Sequence, residues 1–503
     1  MLKIAAVDVG SNAMRMAIGE VDERWQVQVI ENVRLPVRLG GDVFGTGVLQ
    51  SRTIRQTEEA FLRFKHLAET HGVQRLRAVA TSAAREAANG SLLIDRVRRT
   101  SGIELEIISG EEEARLIHRA VIHALGSKKK RTLLLIDIGG GSVEVTVSNG
   151  QSILSTESYN IGTVRLLEKL DDVKKSRQSF GKLVREYAEA ARYRIERDLG
   201  DEKIQVCAGT GGNVEEIGHL RQKLFKGESD RLITLPELEK LIERLGAMSV
   251  AERIHKLDLR PDRADVILPA AIVLHMVAKE AGIKQIVIPN VGLKDGILLD
   301  LADELAKKPR FPRREQAWES ALHLGRKYRF DERHARLTAR LAARLFEQTR
   351  PLHDLPDDDL LPLEIGALLH DIGHFINSVD HDKHGFYLLN ATRLIGLSQR
   401  EQNIAASLVR YHRKRTPAAD DEHFKALPPK DRGVVLKLCA LLRLADSLDV
   451  SHTAKVNDVI LRETPSGWRM RILGKDELLL EHWSLEKRKA LFEETFGVTL
   501  ELE

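Results

Sequence analysis

Apolar runs in this chain are short, and two of them break in the same way. Ala5-Ala6-Val7 leads into Asp8-Val9-Gly10-Ser11-Asn12. Leu134-Leu135-Ile136 leads into Asp137-Ile138-Gly139-Gly140-Gly141-Ser142, followed by Val143-Glu144-Val145. Each copy predicts a buried strand, an Asp, a tight glycine turn carrying a hydroxyl or amide, and a second strand. A sentence written twice predicts two similar lobes facing each other. Around the copies the pattern alternates between strand and helix. An amphipathic helix is expected near 51–71, then a strand at Arg77-Ala78-Val79-Ala80 running into a helix start at Thr81–Ala87. Leu105–Ile108 runs into Ser109, a candidate N-cap with Glu111, Glu112 and Glu113 in the first turn, where the helix dipole favours carboxylates. Gln205–Ala208 feeds a glycine turn, Gly209-Thr210-Gly211-Gly212-Asn213, and Gln285–Pro289 precedes Gly292-Leu293-Lys294-Asp295-Gly296, which opens a helix. The alternation predicts two mixed α/β lobes, 1–126 and 127–306, separated by the solvated run Ser127-Lys128-Lys129-Lys130-Arg131.

From Lys307–Arg314, which reads as a linker, to about residue 450 the pattern is helical, so an all-α domain is expected over 307–452. A small α+β tail is expected over 453–503. It has two or three short strands around Pro465-Ser466-Gly467, one helix near 483–495 and a last strand at Val498-Thr499-Leu500. A length of 503 residues exceeds the roughly 250–300 at which one core stops growing, which agrees with several domains.

Composition narrows the function. Lys and Arg (78) nearly balance Asp and Glu (74), for a net charge of +4, which argues against a general nucleic-acid binder. It leaves room for a local basic groove that takes another polyanion. Cys207 and Cys439 lie far apart beside apolar residues and read as reduced core thiols of a cytoplasmic protein. Asp8 interrupts the apolar start, so no signal peptide is expected. No apolar run approaches the roughly 18 residues of a membrane span.

The chemistry sits at the turns. Glycine lets backbone N–H groups approach an anion, and Gly139–Ser142 and Gly209–Gly212 offer several such donors. An Asp beside those amides tolerates phosphate when a cation lies between them, so Asp8 and Asp137 are expected to face a phosphate chain through Mg²⁺. Three successive glycines exceed what a structural turn requires.

DVGSN at 8–12, TSAAREA at 81–87, EIISGEEEARLI at 106–117, DIGGGSVE at 137–144, IGTVRL at 161–166, the glycine turn at 209–212 and GLKDG at 292–296 occur in this order. Their order and spacing resemble the exopolyphosphatase and guanosine pentaphosphate phosphohydrolase family. The resemblance implies the two-lobed actin-like superfold of actin, sugar kinases and acetate kinase, with duplicated ribonuclease H-like lobes. It also implies Mg²⁺-dependent release of orthophosphate from a terminal phosphoanhydride, with inorganic polyphosphate as substrate, and a homodimer. Guanosine pentaphosphate is the alternative substrate, and a non-catalytic sensor of alarmone or polyphosphate is the alternative role. By the same resemblance Glu113 is the water-orienting base and Glu144 a second catalytic carboxylate and metal partner. Arg85 and Arg165 then line the phosphate site with Ser11, Asn12, Gly139, Gly140, Gly141, Ser142, Gly209, Thr210, Gly211 and Gly212. Glu111 and Glu112 read as solvent-facing acids, and Arg115 as their partner.

The helical domain carries a second set: His334, the pair His370-Asp371, then His381, His384 and His412, and a late Asp446. This series resembles the metal phosphohydrolase superfamily named for its His-Asp pair. It implies an HD-like domain in which His334, His370, Asp371, His384, His412 and Asp446 surround Mn²⁺ or another divalent ion.

Overall fold

The two repeated sentences fold as two hairpins of the same design. Strands β1 (Leu2–Val9) and β2 (Met14–Val21) pair antiparallel, with Asp8 opposite Arg15 and the turn closed by Gly10 N donating to Ala13 O at 3.2 Å. Further along, β6 (Leu133–Ile138) and β7 (Val143–Ser148) do likewise. Asp137 stands opposite Glu144, and Gly139 N donates to Ser142 O at 3.0 Å.

With β3 (Val27–Leu35), β4 (Arg75–Ala80) and β5 (Leu105–Ile107), the first hairpin forms a five-stranded sheet in the order β3-β2-β1-β4-β5. The second sheet adds β8 (Ile153–Tyr159), β9 (Val206–Thr210), β10 (Leu232–Thr234) and β11 (Gln285–Val287), in the order β10-β11-β9-β6-β7-β8. Apart from the edge strand β10, the second order repeats the first. In both, the hairpin's first strand is parallel to the strand that returns beside it, β4 or β9. This is the duplicated, two-lobed actin-like architecture.

Alternation along the strands builds two layers. Ala5, Val7 and Val9 face a core capped by the helix Ser51–His71 through Phe61 and Phe64. Ile4 and Ala6 face the opposite way, into a cluster shared with Leu133 and Leu135 of the second sheet. The helices Gly110–Leu125 and Leu293–Leu305 fill that shared layer with Leu116, Ile117, Ile297 and Leu301. Ser109 caps the first of these, accepting from Glu112 N, and Gly292 N donates to Asp295 at the start of the second.

In this computed structural model the described residues are 2–126, 131–170, 177–199, 203–225, 229–307, 313–418, 420–475 and 477–503. The chain divides into two compact units, Met1–Arg310 and Phe311–Glu503. The predicted connectors fall largely at 127–130 and 308–312, outside the described residues.

The second unit opens with helices, among them Arg313–Lys327, Glu332–Gln348, Leu360–Leu369, His381–Ala391, Gln399–Tyr411 and Pro429–Ser447. A three-stranded sheet follows, made of β12 (Val456–Thr464), β13 (Gly467–Gly474) and β14 (Leu500–Leu502). The tail has no core of its own. Val459, Met470, Leu485 and Phe492 pack into one cluster with Leu345, Phe346 and Leu441 of the helices. The single helix expected near 483–495 is two, Leu479–Arg488 and Ala490–Phe496. No helix among the described residues is long and apolar enough to cross a membrane.

Candidate active site

The two glycine turns meet across a cleft in the first unit. A Cβ on Gly140 would stand 3.0 Å from Ser11 Cβ and 3.3 Å from Asn12 N, so the turns touch. A Cβ on Gly141 would overlap Ser82 Oγ and Phe44 Cζ. The extra glycines are therefore required by close packing between the lobes. Gly139 spends its amide on Ser142 O and so does not offer it to a ligand. The cleft is lined by both turns, by Asp8, Asp137 and Glu113, and by Gly211 and Gly212.

Three carboxylates converge at its floor. Ligand oxygens of Glu113, Asp137 and Glu144 lie within 4.8 Å of one another, and all three residues are buried. Thr210 Oγ1 donates to Asp137 Oδ1 at 2.6 Å. Ser142 Oγ and Ser158 Oγ donate to Glu144 Oε1 at 2.5 and 2.9 Å. Glu113 Oε2 and Glu144 Oε2 are buried without a hydrogen-bond partner. Burial first, then Asp137, pushes Glu144 up to about 7. Burial, then Glu144 and Asp137, pushes Glu113 well above the carboxylate range, opposed by Arg85, whose Nη1 lies 3.7 Å from Glu113 Oε2. Burial also raises Asp8 to about 6, but Asp8 lies outside the tight trio while lining the same cleft. Orphaned buried oxygens in a set of hard oxygen donors fit a small divalent cation.

Cationic groups face this floor from the other wall. Arg263 Nη1 donates to Asn213 Oδ1 at 2.7 Å, and a Cβ on Gly212 would overlap the guanidinium ends of Arg263 and Arg15. Burial, then Arg15 and Arg34, pushes Arg263 down to about 9. Its Nε is buried without a partner. Arg34 pairs with Asp262, while Arg15 and Arg263 line the cleft beside the glycine turns, where guanidinium groups can receive anionic oxygen.

The geometry revises several expected roles. Arg165 is buried; its Nε donates to Gly141 O at 2.7 Å and its Nη2 to Glu86 Oε1 at 2.6 Å, so it braces the turn rather than lining the cleft. Gly209 lies within β9, where a Cβ would crowd Val214 and Ile286, and Thr210 serves Asp137. Arg85 also anchors to Ile108 O at 2.6 Å, which fixes it beside Glu113. Glu112 is no solvent-facing acid: it binds Arg115 and Arg77. Arg15, Asn213 and Arg263 went unforeseen. The repeat held a signal for Arg15, which stands opposite Asp8 as Glu144 stands opposite Asp137.

The second unit also assembles a cluster. His334, His370, Asp371, His412 and Asp446 converge, joined by His374, His381 and His452. His384 does not join them. It sits one residue past Lys383 on the helix His381–Ala391, whose first residue turns inward in its place. His374 and His452 had no place in the expected ligand series because they come from a short 3₁₀ turn and a loop.

Residues 18–305, more than half of the chain, match the Ppx/GppA phosphatase family, and residues 318–492 match Ppx/GppA phosphatase, domain III. Among solved structures, an exopolyphosphatase from Cytophaga hutchinsonii shares 24% identity at a TM-score of 0.55, over 60% of this chain and 98% of that one. The Aquifex aeolicus member of the Ppx/GppA family shares 24% identity at 0.52, over 61% and 99%. An exopolyphosphatase-like protein shares 26% at 0.53, over 61% and 99%. The first two likenesses are of fold, and they agree with the paired β-sheet orders. Duplicated hairpins, a buried carboxylate trio built on the second of them and matches over both units lead to one conclusion: this chain belongs to the Ppx/GppA phosphatase family.

Proposed function

We propose that the protein is an exopolyphosphatase that hydrolyses the terminal phosphoanhydride of inorganic polyphosphate with the help of Mg²⁺. The observation that carries the reading is the trio Glu113, Asp137 and Glu144, with two buried oxygens lacking partners, set opposite Arg15 and Arg263. Asp137 and Glu144 would hold the cation, with Asp8 close by. A bound Mg²⁺ neutralises phosphate charge and supplies the positive charge that the buried carboxylates lack.

The chain's own groups account for the rest. Arg15 and Arg263 orient the terminal phosphate, and Ser11, Asn12 and Gly140–Ser142 shape the space around it. Glu113 Oε2 orients a water molecule and accepts its proton as the new O–P bond forms. The bridging oxygen leaves with the shortened chain. Arg85, fixed on Ile108 O, opposes the rise that burial and the neighbouring carboxylates impose on Glu113.

Phosphate release from polyphosphate, guanosine pentaphosphate and ATP, each with Mg²⁺, tests the reading. Polyphosphate should be the best substrate by kcat/KM. Preference for guanosine pentaphosphate would reassign the substrate, and binding without release would make the protein a sensor.

A further inference from the structure

The helix Gly110–Leu125 brings Glu113 to the cleft from its first turn and carries a ring of charge on another face. We propose that Asp300, at the centre of that ring, is a positioning residue for Glu113 and fixes where its carboxylate meets the attacking water. The inference rests on Glu113 being the base of the reaction proposed above.

Asp300 lies on the helix Leu293–Leu305, and 2% of its side chain is exposed. Each of its oxygens accepts from two guanidinium groups. Oδ1 takes Arg115 Nη1 and Arg119 Nη1, both at 3.1 Å. Oδ2 takes Arg115 Nη2 at 3.1 Å and Arg77 Nη1 at 3.3 Å. Arg115 also forks onto Glu112, with Nε 2.7 Å from Oε2 and Nη2 2.9 Å from Oε1. Arg77 Nη2 donates to the same Glu112 Oε1 at 3.1 Å, which closes the ring Asp300–Arg115–Glu112–Arg77.

The ring ties together three segments that build the cleft. Glu112 directly precedes Glu113, about 100° away around the helix, so a fixed Glu112 fixes the direction in which Glu113 leaves the axis. Arg77 lies on β4, which runs on into the short helix of Arg85, the cation 3.7 Å from Glu113. Asp300 stands about two turns into a helix whose opening residue, Leu293, lines the cleft together with Gly292.

The two helices cross closely at Gly296, where a Cβ would overlap Leu116 O. Apolar packing at a crossing resists separation more than rotation about the helix axis, whereas forked ion pairs fix direction. A rotation of roughly 10° carries a side-chain tip about 5–6 Å from the axis through about 1 Å. Such a misplacement costs a reaction about 10²-fold. Apolar side chains in place of buried ion pairs are often neutral or stabilising, so geometry rather than stability is what the ring contributes.

The test is steady-state kinetics on the full chain. Asparagine keeps the shape of Asp300 and one acceptor, and turns N–H groups toward two guanidinium groups that already donate. Asp300→Asn should lower kcat about 10–100-fold and leave KM within about twofold. Arg115→Lys keeps the charge without the two forks and should show the same split, so the test stands where Asp300→Asn fails to fold. Asp303→Asn removes a partner of Arg119 outside the ring and should leave kcat unchanged. Combined with Glu113→Gln, Asp300→Asn should cost less than about twofold more, because no base remains to be misplaced. Wild-type kcat in the ring variants, a rise in KM in place of the fall in kcat, or the same fold-loss with and without Glu113 overturns the positioning role. Wild-type turnover by Glu113→Gln alone overturns instead the assignment of the base. The substrate is whichever phosphoanhydride the wild type hydrolyses fastest, so a reassigned substrate leaves the test intact.

Discussion

At the scale of single residues, the site is a balance of uncompensated charge. Glu113 is buried, raised by its acidic neighbours and left with an orphaned oxygen. Glu113→Gln removes the proton acceptor and keeps the shape. Steady-state assays should show turnover about 10²–10⁴-fold lower with little change in KM, and thermal melting should show no loss of stability. On the opposite wall Arg263 is crowded by Arg15 and Arg34. A charge-assisted contact contributes about 1.5–3 kcal/mol. Arg263→Gln should therefore raise KM for polyphosphate about 10–100-fold, and added orthophosphate should raise Tm less than in the wild type.

At the scale of elements, close approach decides which positions tolerate change. A Cβ on Gly141 would overlap Ser82 and Phe44 across the cleft, whereas nothing lies within 4 Å of one on Gly110, at the start of the Glu113 helix. Denaturant unfolding should find Gly141→Ala destabilising by about 1–3 kcal/mol. Gly110→Ala should be neutral or stabilising by up to about 1 kcal/mol. The same helix is pinned to β7 by His118, whose Nε2 lies 2.7 Å from Ser148 Oγ. Burial holds His118 down at about 4, against 6.5 for the free side chain, so between those values the folded chain binds fewer protons than the unfolded one. Its contribution is complete above pH 6.5 and is lost as pH falls toward 4, by up to about 3 kcal/mol. His118→Leu should flatten the acid side of the stability profile measured by urea unfolding.

At the scale of the whole molecule, the cores do not mix. The cluster holding Phe346, Leu441 and Met470 contains only residues beyond 311, and that holding Phe61 and Phe64 only residues before 310. Calorimetry should resolve two transitions. Phe346→Ala should lower one of them, and Phe61→Ala the other, each by the equivalent of about 3–5 kcal/mol. A single transition shifted equally by both variants would show that the units unfold as one.

Local chemistry was legible in the sequence where neighbours along the chain meet the same need. The Asp–glycine hairpins, the Ser109 cap and the order of strands and helices follow from periodicity, turn residues and capping, which act within a few residues. The repeat even contained Arg15, one strand across from Asp8 as Glu144 is from Asp137. Other assignments needed the third dimension. Arg165 carries the same guanidinium as Arg263, yet one braces a turn and the other faces the cleft, because strand pairing and lobe contact decide what each can reach. His381 and His384 share a helix, and three residues of rotation and the packing around it turn one toward Asp371. Sequence alone set which groups were available. Convergence of segments up to 250 residues apart, as between Asn12 and Asp262, decided which of them meet, since that depends on the whole packed core rather than on any local preference.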